Sequence, residues 1–469
     1  MKPNILLIVL DAVRFDHLSC YGAERPTSPS LDALAEQGVL FENAFAAGSW
    51  TPPSHAALFT GKYPSQCGTM GHQLRLNNSH LTIAEFLRRQ GYRTAGIGSA
   101  WISRRQGFAY GFEHFVELWQ RTDWRDLAFT RDRLLRKIYD RVTHSNDGGD
   151  YAAVQWMKRW IKRVKGQGPF FGFLRFLSAH TPYAPPPPFK KRFEPELGPQ
   201  DDLKKLRFLA ADGGYSYMAG YLEVSPREWD IIRAWYDACI LYIDSLIGSL
   251  ITWLEDLELL DSTLIIVTSD HGENFGEHGL AGHSYCVYDT LLHVPLIIAA
   301  PQGLMPRGQR ISDLISLVDI LPTVGHIIGA SDAIPPDVAG QSFFPLDSQP
   351  RRDAIFAEYG PPYAFTVFKR LHPEFSPTRF DRALRTIRTQ THKYIMGSDG
   401  QEELYDLTAD PAEERNLIDA HPDLANQLRD RLIATLGGFE TLSPTDTPSP
   451  LSAEEEVRLM AHLRDLGYL

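Results

Sequence analysis

Cysteine is scarce in this chain: Cys20, Cys67, Cys239 and Cys286 are the only four among 469 residues. They are irregularly spaced and form no CxxC pair, which excludes a disulfide framework or a zinc cage as the organising device. Buried or free thiols in a reducing compartment are the expectation. Long apolar runs are lacking too. The first, Ile5–Leu10, is too short for a signal-peptide core or a membrane span, and no later segment reads as reaching spanning length. The chain therefore reads as cytoplasmic, with no membrane partner. Positive charge is in deficit: 47 Lys and Arg against 58 Asp and Glu give a net charge of −11. No bulk basic field is present for nucleic acid. An internal repeat is also absent.

Hydrophobic residues make up 43% and charged residues 22% of the chain, an ordinary globular balance. The length exceeds one core of usual size, so two domains are expected. Ile5–Leu10, Phe170–Leu177, Leu264–Val267 and Leu296–Ala300 read as buried strands. Leu81–Gln90 and Ile231–Leu254 read as helices, the first with Thr82 and Glu85 as a capping box. Strands alternating with helices imply an α/β fold with a mostly parallel, helix-covered sheet over residues 1–345. After a polar linker, Leu346–Arg352, the runs Arg385–Ile395 and Glu402–Leu407 suit antiparallel strands of a smaller α+β domain, residues 353–440. Residues 441–469 read as a Ser-, Thr- and Pro-rich tail and a final helix. In that helix Ser452 and Glu455 form a cap, and Val457, Met460, Leu463 and Leu466 form an apolar stripe. The stripe packs on its own chain or on a second copy.

Three stretches carry candidate chemistry. Asp11, followed by Arg14 and Asp16, ends the first strand, where α/β sheets place ligand-binding groups; a helix cap is the competing role. Thr51-Pro52-Pro53-Ser54-His55 reads as a helix start. Thr51 there serves either as an N-cap or as a hydroxyl activated beside an anion site. Ser269-Asp270-His271-Gly272 follows a strand and continues to His278 and His283. Carboxylate and imidazole side by side suit a divalent ion. His180, in Ser178-Ala179-His180-Thr181-Pro182-Tyr183, ends another strand and reads equally as a structural or a functional histidine.

Together these features resemble the sulfatase branch of the alkaline-phosphatase superfamily. Thr51–Gly61 is similar to that family's nucleophile signature, C/S-x-P-S-R-x-x-x-x-T-G, and His180-Thr181-Pro182 to its His-x-Pro element. Asn4–Asp11 and Ser269–Gly279 resemble its two metal-ligand segments, and Leu81–Ala95 the helix and strand between them. Ser316–Thr323, and Glu403–Leu407 with Asp410-Pro411, resemble its later structural signatures. The resemblance implies an alkaline-phosphatase-like central sheet and one divalent metal ion (zinc, manganese or calcium) held by Asp11, Asp270, His271 and Thr51. His278 and His283 leave a second metal site open.

The departures bear on the reaction. The family matures Cys or Ser to formylglycine at the position held here by Thr51. The signature Arg is His55, the Lys of a Gly-Lys-Trp-His element is Ser99 with Trp101 in place of its His, and a later Lys is His283. The paired Asp after Asp11 is Ala12, and Asp244–Gly248 lacks the His of a two-zinc site. Fewer fixed cations suit a monoanion, and a phospho-threonine can be opened in line by water. The expectation is a hydrolase of phosphodiesters or phosphonate monoesters working through phospho-Thr51, with a small anionic ester as substrate. His180 or His283 serves as leaving-group acid, and Arg14, His55, Ser99 and His278 contact the substrate. A sulfate ester hydrolase without formylglycine, a phosphoryl transferase and a non-catalytic metal-binding relative are the alternatives. Ser99–Tyr110, Pro182–Phe189 and Tyr363–Phe380 are expected to recognise the organic part.

Overall fold

A computed structural model describes residues 2–71, 75–99, 101–117, 147–211, 213–347, 351–361 and 380–441. The first apolar run forms β1 (Asn4–Leu10). It is followed by β2 (Val39–Phe45), β3 (Arg93–Gly98), β4 (His114–Glu117), β5 (Phe170–Phe176) and β6 (Thr263–Ser269). Two short strands, β7 (Asn274–Phe275) and β8 (Ala281–Gly282), form a hairpin, and β9 (His293–Ala299) and β10 (Gln309–Ser316) come next. Eight of these make one sheet in the order β10-β2-β9-β6-β1-β5-β3-β4. Only β9 runs antiparallel to its neighbours in that sheet. The mostly parallel α/β sheet is thus present, with one reversed strand in its middle.

Both faces of β1 are covered, which is why it reads as an unbroken apolar run. Ile5, Leu7 and Val9 enter one core with the helices Thr51–Thr60, Ile83–Arg89 and Ile320–Ile327. Leu6, Ile8 and Leu10 enter the other with Asp150–Val164 and Pro226–Asp256. Each such side chain contributes about 1.5–3 kcal/mol by leaving water.

The helix read from sequence as Ile231–Leu254 runs from Pro226 to Asp256, 31 residues, opened by a Ser225–Glu228 capping box. By length and composition it could cross a bilayer, which corrects the expectation that no segment reaches that length. Here its stripe, from Ile232 and Trp235 through Ile243 to Leu250, is buried against the sheet. The helix expected at Leu81–Gln90 is Ile83–Arg89. Thr82 accepts from the Glu85 N–H, but the Glu85 carboxylate turns to Arg88 and Arg89, so only half of the box forms.

A second sheet, β11 (Ala354–Tyr359), β12 (Leu384–Thr389), β13 (His392–Gly397) and β14 (Glu402–Asp406), is antiparallel throughout. The helix Pro422–Leu436 packs on it over Leu428, Leu432 and Leu436. Buried ion pairs join this sheet to the larger one. Lys393 Nζ lies 2.8 Å from both Asp289 and Glu413, and Arg388 donates to Asp289. Arg352, at the end of the stretch read as a linker, is paired with Asp319. The capped terminal helix expected around Ser452–Leu466 lies outside the described residues.

Candidate active site

The strand register builds the centre. Leu10 of β1 pairs with Ser269 of β6, so Asp11 and Asp270, the next residues, meet at the carboxyl ends of adjacent parallel strands. Both are fully buried. Gly272 lets the chain turn beneath them: a Cβ there would fall 2.0 Å from the Thr290 carbonyl oxygen. On the neighbouring helix Thr51 is the first residue, and Ser54 Oγ donates to the Asp270 carbonyl at 2.5 Å. That bond fixes the helix start to the metal-ligand loop. Gly48 makes the approach feasible, since a Cβ there would meet Pro53 Cβ at 2.9 Å.

Thr51 Oγ lies 3.1 Å from His271 Nε2. His271 Nδ1 donates to the Gly272 carbonyl at 2.9 Å, leaving the Nε2 lone pair facing the carboxylates. Nε2 is 3.7 Å from Asp11 Oδ1 and 3.5 Å from Asp270 Oδ2. Those two oxygens are buried without a hydrogen-bond partner, an expensive arrangement unless a cation satisfies them. Among the described residues, Asp11, Asp270 and His271 are the one group whose ligand atoms all lie within 4.8 Å of one another. Two carboxylate oxygens, one imidazole and a hydroxyl fit a divalent ion, and the oxygen-rich set favours a hard one. Ala12 adds no ligand. It holds φ at 59°, and its N–H donates to Asp270 Oδ1.

The remaining candidates divide. His55 is buried, its Nδ1 donating to the Thr51 carbonyl one turn back, with Phe59, Phe108 and Phe173 around the ring. Burial, then the nearby Arg175, holds it well below the usual histidine range. His180 and His283 stand with ring centroids 4.6 Å apart, and His283 stacks on His271 at 4.5 Å. His283 Nδ1 is 3.2 Å from Glu273 Oε1. Burial lowers His283 to about 4 and raises Glu273 to about 8. Burial likewise raises Asp270 to about 6. Ser99 also reaches the centre, its Oγ accepting from Arg175.

Two further candidates have other partners. Arg14 pairs with Asp16 and Glu277, each at 2.7 Å, and its Nη1 donates to the Glu273 carbonyl at 3.2 Å, behind the centre. His278 stacks on Tyr288 at 3.8 Å, towards the small sheet where Tyr288 bonds to Glu403. Among the described residues, no group containing both His278 and His283 brings its ligand atoms within 4.8 Å of one another.

Arg175 is the residue the sequence reading missed. It sits on β5 opposite Val9 of β1, with a side chain 2% exposed. Its guanidinium donates to Asp11 Oδ2, to Ser99 Oγ and, at 3.3 Å, to Thr51 Oγ. The signal was one charge inside the run Phe170-Phe171-Gly172-Phe173-Leu174-Arg175-Phe176, where a fully buried Arg needs partners.

A cleft borders the centre through Thr181 and His283. Tyr183, Tyr215, Met218, Trp229, Phe275 and Tyr285 wall it, and no Lys, Arg, Asp or Glu lines it among the described residues. Of the stretches expected to recognise the organic part, Pro182–Phe189 supplies Tyr183. Ser99–Tyr110 supplies Ser99 to the centre but nothing to the cleft wall. Residues 363–379 lie outside the described ones.

The geometry agrees with comparisons to known proteins. The family model described as Sulfatase matches residues 3–330, and one described as N-sulphoglucosamine sulphohydrolase, C-terminal, matches residues 276–436. Arylsulfatase K of Canis lupus familiaris is 26% identical over 465 residues, spanning 92% of this chain and 82% of its own. An ulvan-active sulfatase of Formosa agariphila is 27% identical, spanning 89% of this chain and 77% of its own. The crystal structure of a phosphonate monoester hydrolase of Agrobacterium radiobacter superposes with a TM-score of 0.74 and 24% identity, over 97% of this chain and 99% of that one, a likeness of fold.

Proposed function

Since this chain belongs to the sulfatase family, we propose that it hydrolyses a sulfate ester of a small organic molecule, with the Thr51 hydroxyl as nucleophile. The observation that carries this reading is the buried cluster of Asp11, Asp270 and His271 with Thr51 Oγ 3.1 Å from His271 Nε2. The sequence alone favoured phosphorus esters. The named relatives, arylsulfatase K and an ulvan-active sulfatase, move the reading to sulfate.

A divalent ion, calcium by the oxygen-rich donor set, would be held by Asp11, Asp270, His271 and Thr51 and would acidify a bound hydroxyl and polarise the ester oxygens. The chain's own groups do the rest. Thr51 Oγ gives up its proton to His283 and attacks sulfur, forming an O–S bond as the bond to the leaving oxygen breaks. His283, oriented through Nδ1 by Glu273 at 3.2 Å, passes that proton to the leaving oxygen. Water then attacks the sulfur of sulfo-Thr51 as the Oγ–S bond breaks; His283 takes a proton from the water and hands it to Thr51 Oγ, and hydrogen sulfate leaves, losing its last proton to solvent. The aromatic cleft beside His283 receives the organic part, and the uncharged, largely aromatic lining among its described residues suits a ring.

A second reading, hydrolysis of phosphonate monoesters or phosphodiesters, is favoured by Thr51 itself, because water opens a phospho-threonine more readily than a sulfo-threonine. An aryl sulfate, an aryl phosphonate monoester and a diaryl phosphate assayed side by side separate the two. The expected outcome is the highest kcat/KM on the sulfate, with turnover lost on chelation and restored by calcium. Preference for the phosphonate overturns the first reading in favour of the second. Thr51→Ala should lower turnover of every ester at least about 1,000-fold with an unchanged circular dichroism spectrum; normal rates in that variant overturn both.

A further inference from the structure

Three cations that the family's motifs carry are gone from this centre, the later Lys replaced by His283, and one that those motifs lack is present. His55 stands where the nucleophile signature has Arg, and it is held neutral by burial among three phenylalanines. Ser99 stands where a second motif has Lys. Between them lies Arg175, brought in from β5 on the face of the sheet that Val9 and Phe173 share with the Thr51–Thr60 helix. Its contacts run from Ser99 Oγ through Asp11 Oδ2 to Thr51 Oγ.

A role in packing alone does not account for it. Burying a guanidinium costs several kcal/mol, and a hydrophobic residue of similar size would usually serve stability as well or better. Every other residue of β5 is Phe, Leu or Gly. Arg175 also spends its contacts on the reacting hydroxyl and on a carboxylate of the metal-ligand group, rather than on a remote partner.

We propose that Arg175 is the anion-holding group of this centre, a relocated replacement for the missing Arg and Lys. Its planar fork donates to Thr51 Oγ and to a non-bridging oxygen of the tetrahedral ester, while its bond to Asp11 Oδ2 leaves Oδ1 free as a ligand. One fixed guanidinium in contact with Thr51 Oγ matches an ester carrying one negative charge. This inference rests on Thr51 marking the anion site, but not on which ester is cleaved.

The test uses Arg175→Ala and Arg175→Gln in the full chain. Three quantities are read: binding of inorganic sulfate by calorimetry, turnover of whichever ester the wild type accepts, and bound metal by elemental analysis. The expected result is weakened sulfate binding, a kcat/KM lower by about 100- to 1,000-fold, and unchanged metal content. Millimolar guanidinium should restore turnover at least about tenfold in Arg175→Ala and not at all in Thr51→Ala. Sulfate binding is measurable even if no ester in the panel is turned over, so failure of the substrate assignment leaves this inference testable. Wild-type sulfate affinity in a folded variant overturns it. So does a folded, metal-loaded Arg175→Ala that guanidinium fails to rescue. Failure of both variants to fold also overturns it, since the ion pair with Asp11 would then be structural.

Discussion

At the scale of single residues, the centre is a set of strand ends and one helix start. Asp11, Thr51, Asp270 and His271 were legible because each sits just after a strand's apolar run or just before a proline pair, and the fold brings such ends together. Arg175 was not legible by that rule, since it lies within a run rather than at its end. Arg14 and His278 show that closeness in sequence to a ligand does not fix which way a long side chain turns: Arg14 goes to Asp16, Glu277 and the Glu273 carbonyl, and His278 to Tyr288. The same reasoning bears on His55. Restoring the family's arginine there, His55→Arg, should not restore a family-like enzyme. The ring is fully buried among Phe59, Phe108 and Phe173, and Arg175 is already in the centre. We expect a loss of about 1–3 kcal/mol from overpacking, read by urea denaturation, together with reduced kcat/KM. A variant as stable and active as the wild type would show the pocket to be looser than its packing indicates.

At the scale of elements, uninterrupted apolar strands were readable and mixed ones were not. β1, β5 and β6 are buried on both faces and announce themselves. β10 reads Gln309-Arg310-Ile311-Ser312-Asp313-Leu314-Ile315-Ser316 and pairs on one side only, so its pattern is half polar and shows no run. The reversal of β9 left no trace either, because a strand buried on both faces looks the same in either direction. The loop after β6 depends on glycine in a way the sequence only hinted at. Gly272 donates to the Leu291 carbonyl at 2.8 Å, and its missing side chain leaves room for the Thr290 oxygen. Gly272→Ala should push His271 out of line, lowering bound metal as measured by elemental analysis and lowering stability by about 1–3 kcal/mol in thermal melts. Retention of full metal content would place the tolerance in the Thr290 loop.

At the scale of the whole molecule, the two sheets are held by charges taken out of water. Burial alone would raise the Asp289 carboxyl, but Lys393 and Arg388 hold it well below its ordinary value. A depressed acid contributes stability above its unfolded pKa and loses it only as the pH falls through the depressed value, so the Asp289 contacts are kept at neutral pH and through mild acid, whereas burial raises Glu413 to about 7 against the pull of Lys393. Lys393→Met would leave Glu413 without its cation and Asp289 with Arg388 alone. The expected cost is about 3–5 kcal/mol, seen in urea denaturation followed by tryptophan fluorescence. A change under about 1 kcal/mol would mean that the network is neutral to stability. Asp289 opens the short helix whose Leu291 carbonyl receives the Gly272 N–H, so the small sheet reaches the metal-ligand loop through that helix.

The cleft beside His283 has one further consequence. Part of its wall comes from Leu209, Ala211, Gly214, Tyr215, Met218 and Trp229, and a larger part from residues of the 274–285 stretch that also carries His283, whereas Asp11, Thr51, Arg175 and Asp270 come from the sheet and the Thr51 helix. Tyr215, Met218 and Trp229 thus stand on stretches of chain apart from the reacting groups, whereas the 274–285 stretch serves both the wall and, through His283, the centre. Exchanging Tyr215, Met218 or Trp229 would alter which molecules are admitted while leaving the machinery of bond cleavage in place. The scaffold is therefore open to divergence in diet without divergence in chemistry.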